Sequence, residues 1–264
     1  MIIDCHCHAG KGDLLTAPWN TSAPLDPYLR RARAAGIGKT VIFAAFHTDY
    51  AEANHEVAGI VRRYPGRLIG FAFVHAARDA GRILDMVDRA VNEYGFRGIK
   101  VHGFESMPTR EVCEAARAFE LPVLVDVGGR VHVVDMFAPQ YRDVNFIVPH
   151  LGSFAGDWKA HQQTIDQMVR HPNVYADSSS VRHFDYLVQA VKRAGPYKLL
   201  FGSDGPWLHP GVELQKIKLL GLSAAAEQQV LGGNLLRLLG ADRKRLLPSA
   251  GEIVADSEET VVRE

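Results

Sequence analysis

The chain has 264 residues with 30 basic and 30 acidic side chains, a formal charge of zero and 47% hydrophobic residues. A chain without net positive charge has no field to attract a polyanion, which argues against nucleic-acid binding as the main activity. Its three cysteines cannot form the disulfide framework of a small secreted domain, so we expect a cytoplasmic protein. Its apolar segments are too short to span a bilayer, which predicts no membrane insertion.

Eight short apolar runs with the length of β-strands recur along the chain. In chain order they span residues 2–5, 40–45, 68–74, 98–101, 122–127, 145–148, 174–176 and 198–201. Segments with a helical spacing of apolar residues lie between most of these runs. In one of them Ile83, Val87 and Val91 fall on one face, and Gly95 follows as a stop signal. The pattern therefore indicates an alternation of strands and helices.

Strands separated by helices pair in parallel, because a helical crossover returns the chain to the sheet in the same direction. Eight such units in about 250 residues is the size of a (β/α)8 TIM barrel. A doubly wound open sheet, the competing α/β fold, usually carries a glycine-rich phosphate loop after its first strand. Here that strand runs into Asp-Cys-His-Cys-His at residues 4–8. We therefore predict a single-domain TIM barrel over residues 1–247.

The C-terminal residues 248–264 differ in character, because they carry acidic side chains against one arginine, Arg263. This composition predicts a short acidic tail that is solvated or loosely held. The alternative is that the tail packs across a partner subunit, which leaves a homodimer open.

Polar side chains end most of the apolar runs, and active sites of TIM barrels lie at the carboxyl ends of the strands. These residues are His6, His8, His75, Lys100, His102, Asp126, His150, Ser178, Ser179 and Asp204. Because side chains alternate along a strand, His6 and His8 share one face, and Cys5 and Cys7 take the other. Two imidazoles at this spacing converge on one divalent metal. The competing interpretation is a hydrogen-bonded histidine pair without metal.

Asp204 and His150 are the next candidates. Asp204 closes the run 198–201, and a buried carboxylate needs a charged partner or a metal to offset its desolvation. The alternative for Asp204 is a helix cap or turn residue ahead of Pro206. His150 follows the run 145–148 in the same way, with a structural histidine as its alternative.

Three motifs, in this order, closely resemble the amidohydrolase superfamily. They are Ile-Asp-x-His-x-His at residues 3–8, His-Leu-Gly at residues 150–152 and Gly-Ser-Asp-x-Pro at residues 202–206. More narrowly, they resemble the branch that includes enzymes of the aminocarboxymuconate semialdehyde decarboxylase type. The resemblance implies one divalent metal ion, usually Zn²⁺, with Mn²⁺ or Fe²⁺ as alternatives.

The resemblance also implies roles for residues that match its motifs. His6, His8 and Asp204 are then metal ligands, and His150 is the catalytic histidine that transfers protons. The family usually places a further histidine ligand on the fifth strand, where this chain has Asp126. An aspartate can bind zinc, so Asp126 is a candidate ligand, and the division of roles between Asp126 and His150 stays open.

Four other residues are candidates for substrate binding. Lys100 and Arg130 could hold a substrate carboxylate, and His102 and Trp207 could line the barrel mouth. Ordinary packing is the alternative for Trp207. Lys100 has another open role, because a carboxylated lysine on the fourth strand bridges two metals in binuclear members of the superfamily.

These residues predict a metal-dependent hydrolase that acts on a small-molecule substrate. Metal-activated water would attack an amide or lactone carbonyl of a carboxylate-bearing substrate, with His150 and Asp204 taking and passing its proton. One alternative is nonoxidative metal-dependent decarboxylation of an aromatic or muconate-type acid at the same site. Another is a catalytically degenerate barrel that serves as a binding protein, which is favoured only by Asp126 in place of histidine.

Overall fold

The computed structural model describes residues 1–14, 22–154 and 156–240, and the predicted acidic tail lies outside these residues. Eight parallel strands follow one another around the described part of the chain. They are β1 (Ile2–Lys11), β2 (Ile37–Ala44), β3 (Leu68–Gly70, continued by Ala72–Phe73), β4 (Ile99–His102), β5 (Val123–Asp126), β6 (Phe146–Val148), β7 (Val174–Asp177) and β8 (Leu199–Leu200). A two-residue strand, Ser22–Ala23, pairs antiparallel with the end of β1.

The strands close into a barrel at β3 and at the junction of β1 with β8. The first part of β3 pairs with β2 and its second part pairs with β4, while the amide of Phe71 between them donates to β2. At the other junction, the Cys5 amide donates to the Phe201 carbonyl at 3.0 Å, and the His8 amide donates to the Gly205 carbonyl at 2.6 Å. Each strand therefore has a neighbour on both sides, and the predicted TIM barrel is confirmed.

Helices follow the strands and pack against them, forming one buried apolar core. The α-helices are Leu25–Ala34, Tyr50–Arg63, Ile83–Asn92, Arg110–Ala118, Val134–Phe137, Trp158–Arg170, Phe184–Ala194, Pro210–Lys218, Ala224–Gln228 and Asn234–Leu238. Two of them begin at aspartate caps, because Asp49 and Asp157 each accept hydrogen bonds from amides of the first turn. Among the described helices, none is both long and apolar enough to cross a membrane.

Three strands, β1, β4 and β7, extend past the ends of their apolar runs, and β4 does so by one residue, His102. β1 continues its pairing with β2 as far as Ala9 opposite Ala44, so His6 and His8 lie within the strand and do not follow it. β7 includes Asp177, which is paired with Leu200. A strand lasts as long as its neighbour supplies hydrogen-bond partners, whereas the apolar pattern stops where polar side chains enter the barrel mouth.

Gly98, which precedes β4, leaves no space for a side chain. A Cβ atom built on Gly98 would lie 2.4 Å from a ring carbon of Phe71. We expect Gly98→Ala to lower the free energy of unfolding by about 1–3 kcal/mol, because the ring must shift in a close-packed core. Urea unfolding measures the change.

The matched control is Gly59→Ala, which lies in the helix Tyr50–Arg63. Its added Cβ would meet only the end of the Arg62 side chain, at 4.0 Å. Alanine restricts the unfolded chain and favours the helix, so Gly59→Ala should raise the free energy of unfolding by up to about 1 kcal/mol. Equal stabilities of the two variants would contradict the packing at Gly98.

Candidate metal and active site

β1 places the imidazoles of His6 and His8 inside the barrel mouth with their Nδ1 atoms turned away from it. His6 Nδ1 lies 2.8 Å from Asp177 Oδ2, and His8 Nδ1 lies 2.9 Å from the Ala44 carbonyl oxygen. Both partners are acceptors, so both Nδ1 atoms carry the proton. The Nε2 atoms of the two neutral rings are then free to act as ligands.

Burial keeps the two imidazoles neutral. It lowers the pKa of His6 to about 4 and the pKa of His8 well below its ordinary value, and the nearby Lys100 ammonium lowers both further. A neutral imidazole with an exposed lone pair is the form that binds a metal ion. The two rings therefore meet the chemical requirement for ligation at neutral pH.

Asp204, in the segment that follows β8, completes a group of three ligand atoms. Its Oδ1 atom lies 3.3 Å from His6 Nε2 and 3.9 Å from His8 Nε2. The donor atoms of the three residues all lie within 4.8 Å of one another. Burial raises the pKa of Asp204 to about 7, because the positive charges of His150 and Lys100 only partly offset it. Two neutral nitrogens and a poorly compensated carboxylate are a donor set that fits a divalent cation.

Asp4 aligns the two chain segments that supply these side chains, β1 and the segment after β8. Its Oδ1 atom accepts the amide of His6 at 3.0 Å and the amide of Ser203 at 2.9 Å. Its Oδ2 atom accepts the Tyr28 hydroxyl at 2.7 Å. The buried carboxylate thereby fixes the residue before Asp204 against the strand that carries the histidines.

Asp126, at the end of β5, lies outside that group of three. Its Oδ2 atom lies 3.3 Å from His102 Nε2 and 3.6 Å from His150 Nε2. Burial would raise the pKa of Asp126, but His102 and His150 together hold it well below its usual range. In this geometry the aspartate is a partner for two histidines.

His150 is held by a strained turn after β6. His150 and Leu151 both adopt the left-handed region, with φ of 57° and 50°. The His150 amide donates to Asp177 Oδ1 at 3.0 Å, and His161 Nδ1 donates to the Leu151 carbonyl at 3.0 Å. Left-handed non-glycine residues persist where the surroundings fix them, and they are frequent at functional sites. The turn places the His150 ring 4.9 Å from the His6 ring.

Lys100 points into the same space from β4. Its side chain is fully buried, and its Nζ atom has no hydrogen-bond partner among the described residues. The atom lies 4.8 Å from the centre of the Phe43 ring. Burial lowers the pKa of Lys100, although Asp126 and Asp204 act in the opposite direction. An unpaired buried ammonium beside the ligands is a position for an anionic group.

The other predicted residues lie around the mouth. The Trp207 ring is 4.3 Å from the His8 ring, and the Phe46 ring is 4.6 Å from the His102 ring. Arg130 is exposed and donates to the carbonyl of Gly103, which links the loops after β4 and β5. His75 is turned into its own loop, where its Nδ1 atom accepts the Arg78 amide.

The structure adds one central residue, Asp177, which the sequence analysis missed. The seventh apolar run stops at residue 176, and the polar residues predicted at its end are Ser178 and Ser179. Asp177 contacts His6, His150 and Ser179 from the end of β7. The signal that could have found it is an acidic residue at the carboxyl end of a buried strand, as at Asp126.

Comparison with known proteins places this site in a family. The family model described as amidohydrolase matches residues 3–241. A search of curated proteins gives no match.

Solved structures with this fold include three enzymes. The chain is similar to 5-carboxyvanillate decarboxylase from Sphingomonas paucimobilis, with 13% identity over 90% of this chain and 98% of that chain, and a TM-score of 0.72. It is similar to a dihydroxybenzoic acid decarboxylase from a Polaromonas species, with 17% identity over 93% and 98% of the two chains and a TM-score of 0.70.

A probable 2-pyrone-4,6-dicarboxylic acid hydrolase from Acinetobacter baumannii has 15% identity over 91% of this chain and 99% of that chain, with a TM-score of 0.71. These similarities show the fold. Because the family model spans the described barrel from its first strand to its last helix, the chain belongs to the amidohydrolase family.

Proposed function

We propose that this protein is a metal-dependent hydrolase that cleaves an amide or lactone bond in a small carboxylate-bearing molecule. The observation that carries the proposal is the position of His150. Its Nε2 atom lies 3.6 Å from Asp126 Oδ2, and its ring lies 4.9 Å from that of His6. A base beside the metal ligands is required to take a proton from attacking water.

His6, His8 and Asp204 would hold the metal ion. When bound, a divalent ion supplies a Lewis acid for a carbonyl oxygen and lowers the pKa of water. Two imidazoles and one carboxylate suit Zn²⁺, and Mn²⁺ is the alternative, since the Polaromonas decarboxylase contains manganese. The histidines need no reorganisation to bind, because their Nδ1 protons are already engaged.

The remaining residues divide between proton transfer and substrate binding. His150 takes the proton of water, and Asp126 orients His150 and His102 from between them. Lys100 binds the substrate carboxylate, because its ammonium is buried and has no partner among the described side chains. Arg130 sits at the exposed rim, where it attracts an anion into the mouth.

Nonoxidative decarboxylation of an aromatic acid is the second candidate. The observation that favours it is the aromatic wall formed by Phe46 and Trp207, whose rings contact His102 and His8. Two of the structurally similar proteins are decarboxylases of aromatic acids, and one is a pyrone hydrolase. The same ligands serve either reaction, so the product distinguishes them.

The experiment measures metal content first and products second. We expect protein purified without added metal to contain about one equivalent of divalent metal per chain, because the two groups of candidate ligands, His6 with His8 and Asp204 and His6 with His150 and Asp177, share His6. A chelator should remove both metal and activity, and added Zn²⁺ or Mn²⁺ should restore them. The control is the same chelator saturated with zinc, which should leave activity unchanged.

Lactones, amides and aromatic carboxylic acids are then offered to the metal-replete protein, with release of acid and of carbon dioxide measured separately. Release of acid supports hydrolysis. Release of carbon dioxide without acid contradicts hydrolysis and supports decarboxylation. Metal well below one equivalent, with no stabilisation when metal is titrated, would contradict both reactions and favour a binding protein.

A further inference from the structure

Asp177 lies between the two histidines on which the proposed chemistry depends. Its carboxylate is fully buried at the end of β7. One oxygen, Oδ2, is 2.8 Å from His6 Nδ1. The other, Oδ1, is 2.5 Å from the Ser179 hydroxyl and 3.0 Å from each of the amide nitrogens of His150 and Ser179.

The direction of each hydrogen bond follows from the donors that are present. A carboxylate only accepts, so the Ser179 hydroxyl donates its proton to Asp177 Oδ1. The oxygen of that hydroxyl lies 2.9 Å from His150 Nδ1, and with its proton already engaged it can only accept there. His150 Nδ1 therefore carries a proton, and its Nε2 atom faces Asp126.

The backbone supports the same tautomer of His150. The Ser179 carbonyl oxygen lies 3.1 Å from His150 Nδ1, and a carbonyl oxygen accepts only. His6 Nδ1 likewise carries a proton, because its partner is Asp177 Oδ2. The Asp177 carboxylate thus accepts one hydrogen bond from His6 Nδ1 and one from the Ser179 hydroxyl, which in turn accepts a hydrogen bond from His150 Nδ1.

We propose that Asp177 and Ser179 form a positioning pair, which sets the tautomer of the metal ligand His6 and fixes the ring of the acid–base residue His150. This inference rests on the proposed function. The pair touches neither metal nor substrate. Its effect is that His6 Nε2 is unprotonated and faces the metal position, while the His150 ring is held beside His6 with its Nε2 atom facing Asp126.

Asp177→Asn tests the first half of the proposal without changing the shape of the side chain. The amide oxygen must take the place of Oδ1, because two backbone amides point at that position. The amide nitrogen, a donor, then faces His6 Nδ1. His6 must place its proton on Nε2 to accept that bond, and a protonated Nε2 cannot bind a metal.

We expect the Zn²⁺ affinity of Asp177→Asn to fall by about 10- to 100-fold in calorimetric titration of the metal-stripped protein. Nitrogen-15 spectra of the metal-free protein should show His6 change from the Nδ1-protonated to the Nε2-protonated tautomer. A general loss of packing would not produce this change at one ring, so the spectrum separates positioning from a structural defect.

Ser179→Ala tests the second half. It removes the hydroxyl link between the His150 ring and Asp177 but leaves the bond from the His150 amide to Asp177 and the Ser179 backbone in place. We expect kcat to fall about fivefold from the loss of the hydrogen bond to His150 Nδ1, with KM unchanged. The matched control is Ser178→Ala, because Ser178 is equally buried and, among the described residues, its hydroxyl oxygen accepts only the Gly202 amide, at 3.4 Å. This control should leave kcat within twofold.

The outcomes separate this inference from the proposed function. Wild-type protein that binds no Zn²⁺ would overturn the proposed function. Wild-type protein that binds Zn²⁺, together with an Asp177→Asn variant of equal affinity and unchanged His6 tautomer, would overturn the inference alone. A drop in Zn²⁺ affinity in Ser178→Ala would also contradict it, since the Ser178 side chain, unlike those of Asp177 and Ser179, has no hydrogen bond to His6 among the described residues.

Discussion

Asp204→Asn should leave a folded barrel that binds divalent metal about a thousandfold more weakly and has lost its activity. The change removes the negative charge of the ligand group and leaves its two neutral histidines. Removing one charge from a buried ionic site costs about 4 kcal/mol, which corresponds to that factor. Asparagine suits the position, because Asp204 has a φ of 56° and asparagine enters the left-handed region readily.

Calorimetric metal titration and circular dichroism of Asp204→Asn check this result. Asp143→Asn is the matched control, because Asp143 is an exposed carboxylate that pairs with Arg117 on the outer surface. It should keep full metal affinity and lose less than about 1 kcal/mol of stability. Unchanged metal stoichiometry and affinity in Asp204→Asn would show that Asp204 is not a ligand.

His150→Asn should lower kcat by about 100- to 10,000-fold and change metal affinity less than threefold. This range is the usual contribution of a general base. Asparagine again suits the left-handed backbone, since His150 has a φ of 57°. Steady-state kinetics of the metal-saturated variant measure the first effect, and metal titration measures the second.

The same variant tests whether His150 transfers protons or binds the metal, a division of roles between His150 and Asp126 that the sequence leaves open. If His150 were a metal ligand, His150→Asn would lose metal together with activity, and the assignment of proton transfer would be wrong. Full activity in the variant would exclude both roles. Asp126→Asn serves as the comparison, because its carboxylate contacts His102 and His150 and lies outside the group of three ligand atoms.

The barrel could be predicted from the sequence because its strands are buried on both faces and read as continuous apolar runs. Their exact ends could not be predicted. β1 runs on to Lys11 because β2 offers partners as far as Ala9 and the strand Ser22–Ala23 pairs with the last two residues, although the apolar pattern stops before His6. β3 is one run in the sequence but two short strands in the structure, which meet at Phe71.

The candidate site was predictable where a residue's position in a strand determines its direction. His6 and His8 alternate with Cys5 and Cys7, and all four residues are buried as that alternation requires. Contacts between strands were not predictable. Asp177 was missed because its importance lies in bonds to His6 and to His150, which are 171 and 27 residues away.

The junction of β1 with β8 affects the order in which parts of the chain fold. Asp4 accepts the amide of Ser203, 199 residues later, and the proposed ligands His6 and Asp204 lie on either side of this junction. Contacts so distant in sequence form late, because the whole intervening loop must first be ordered. A metal held by His6, His8 and Asp204 therefore cannot direct the early folding of the chain. Such a metal would bind after the barrel has closed, and its binding would stabilise the junction between β1 and β8.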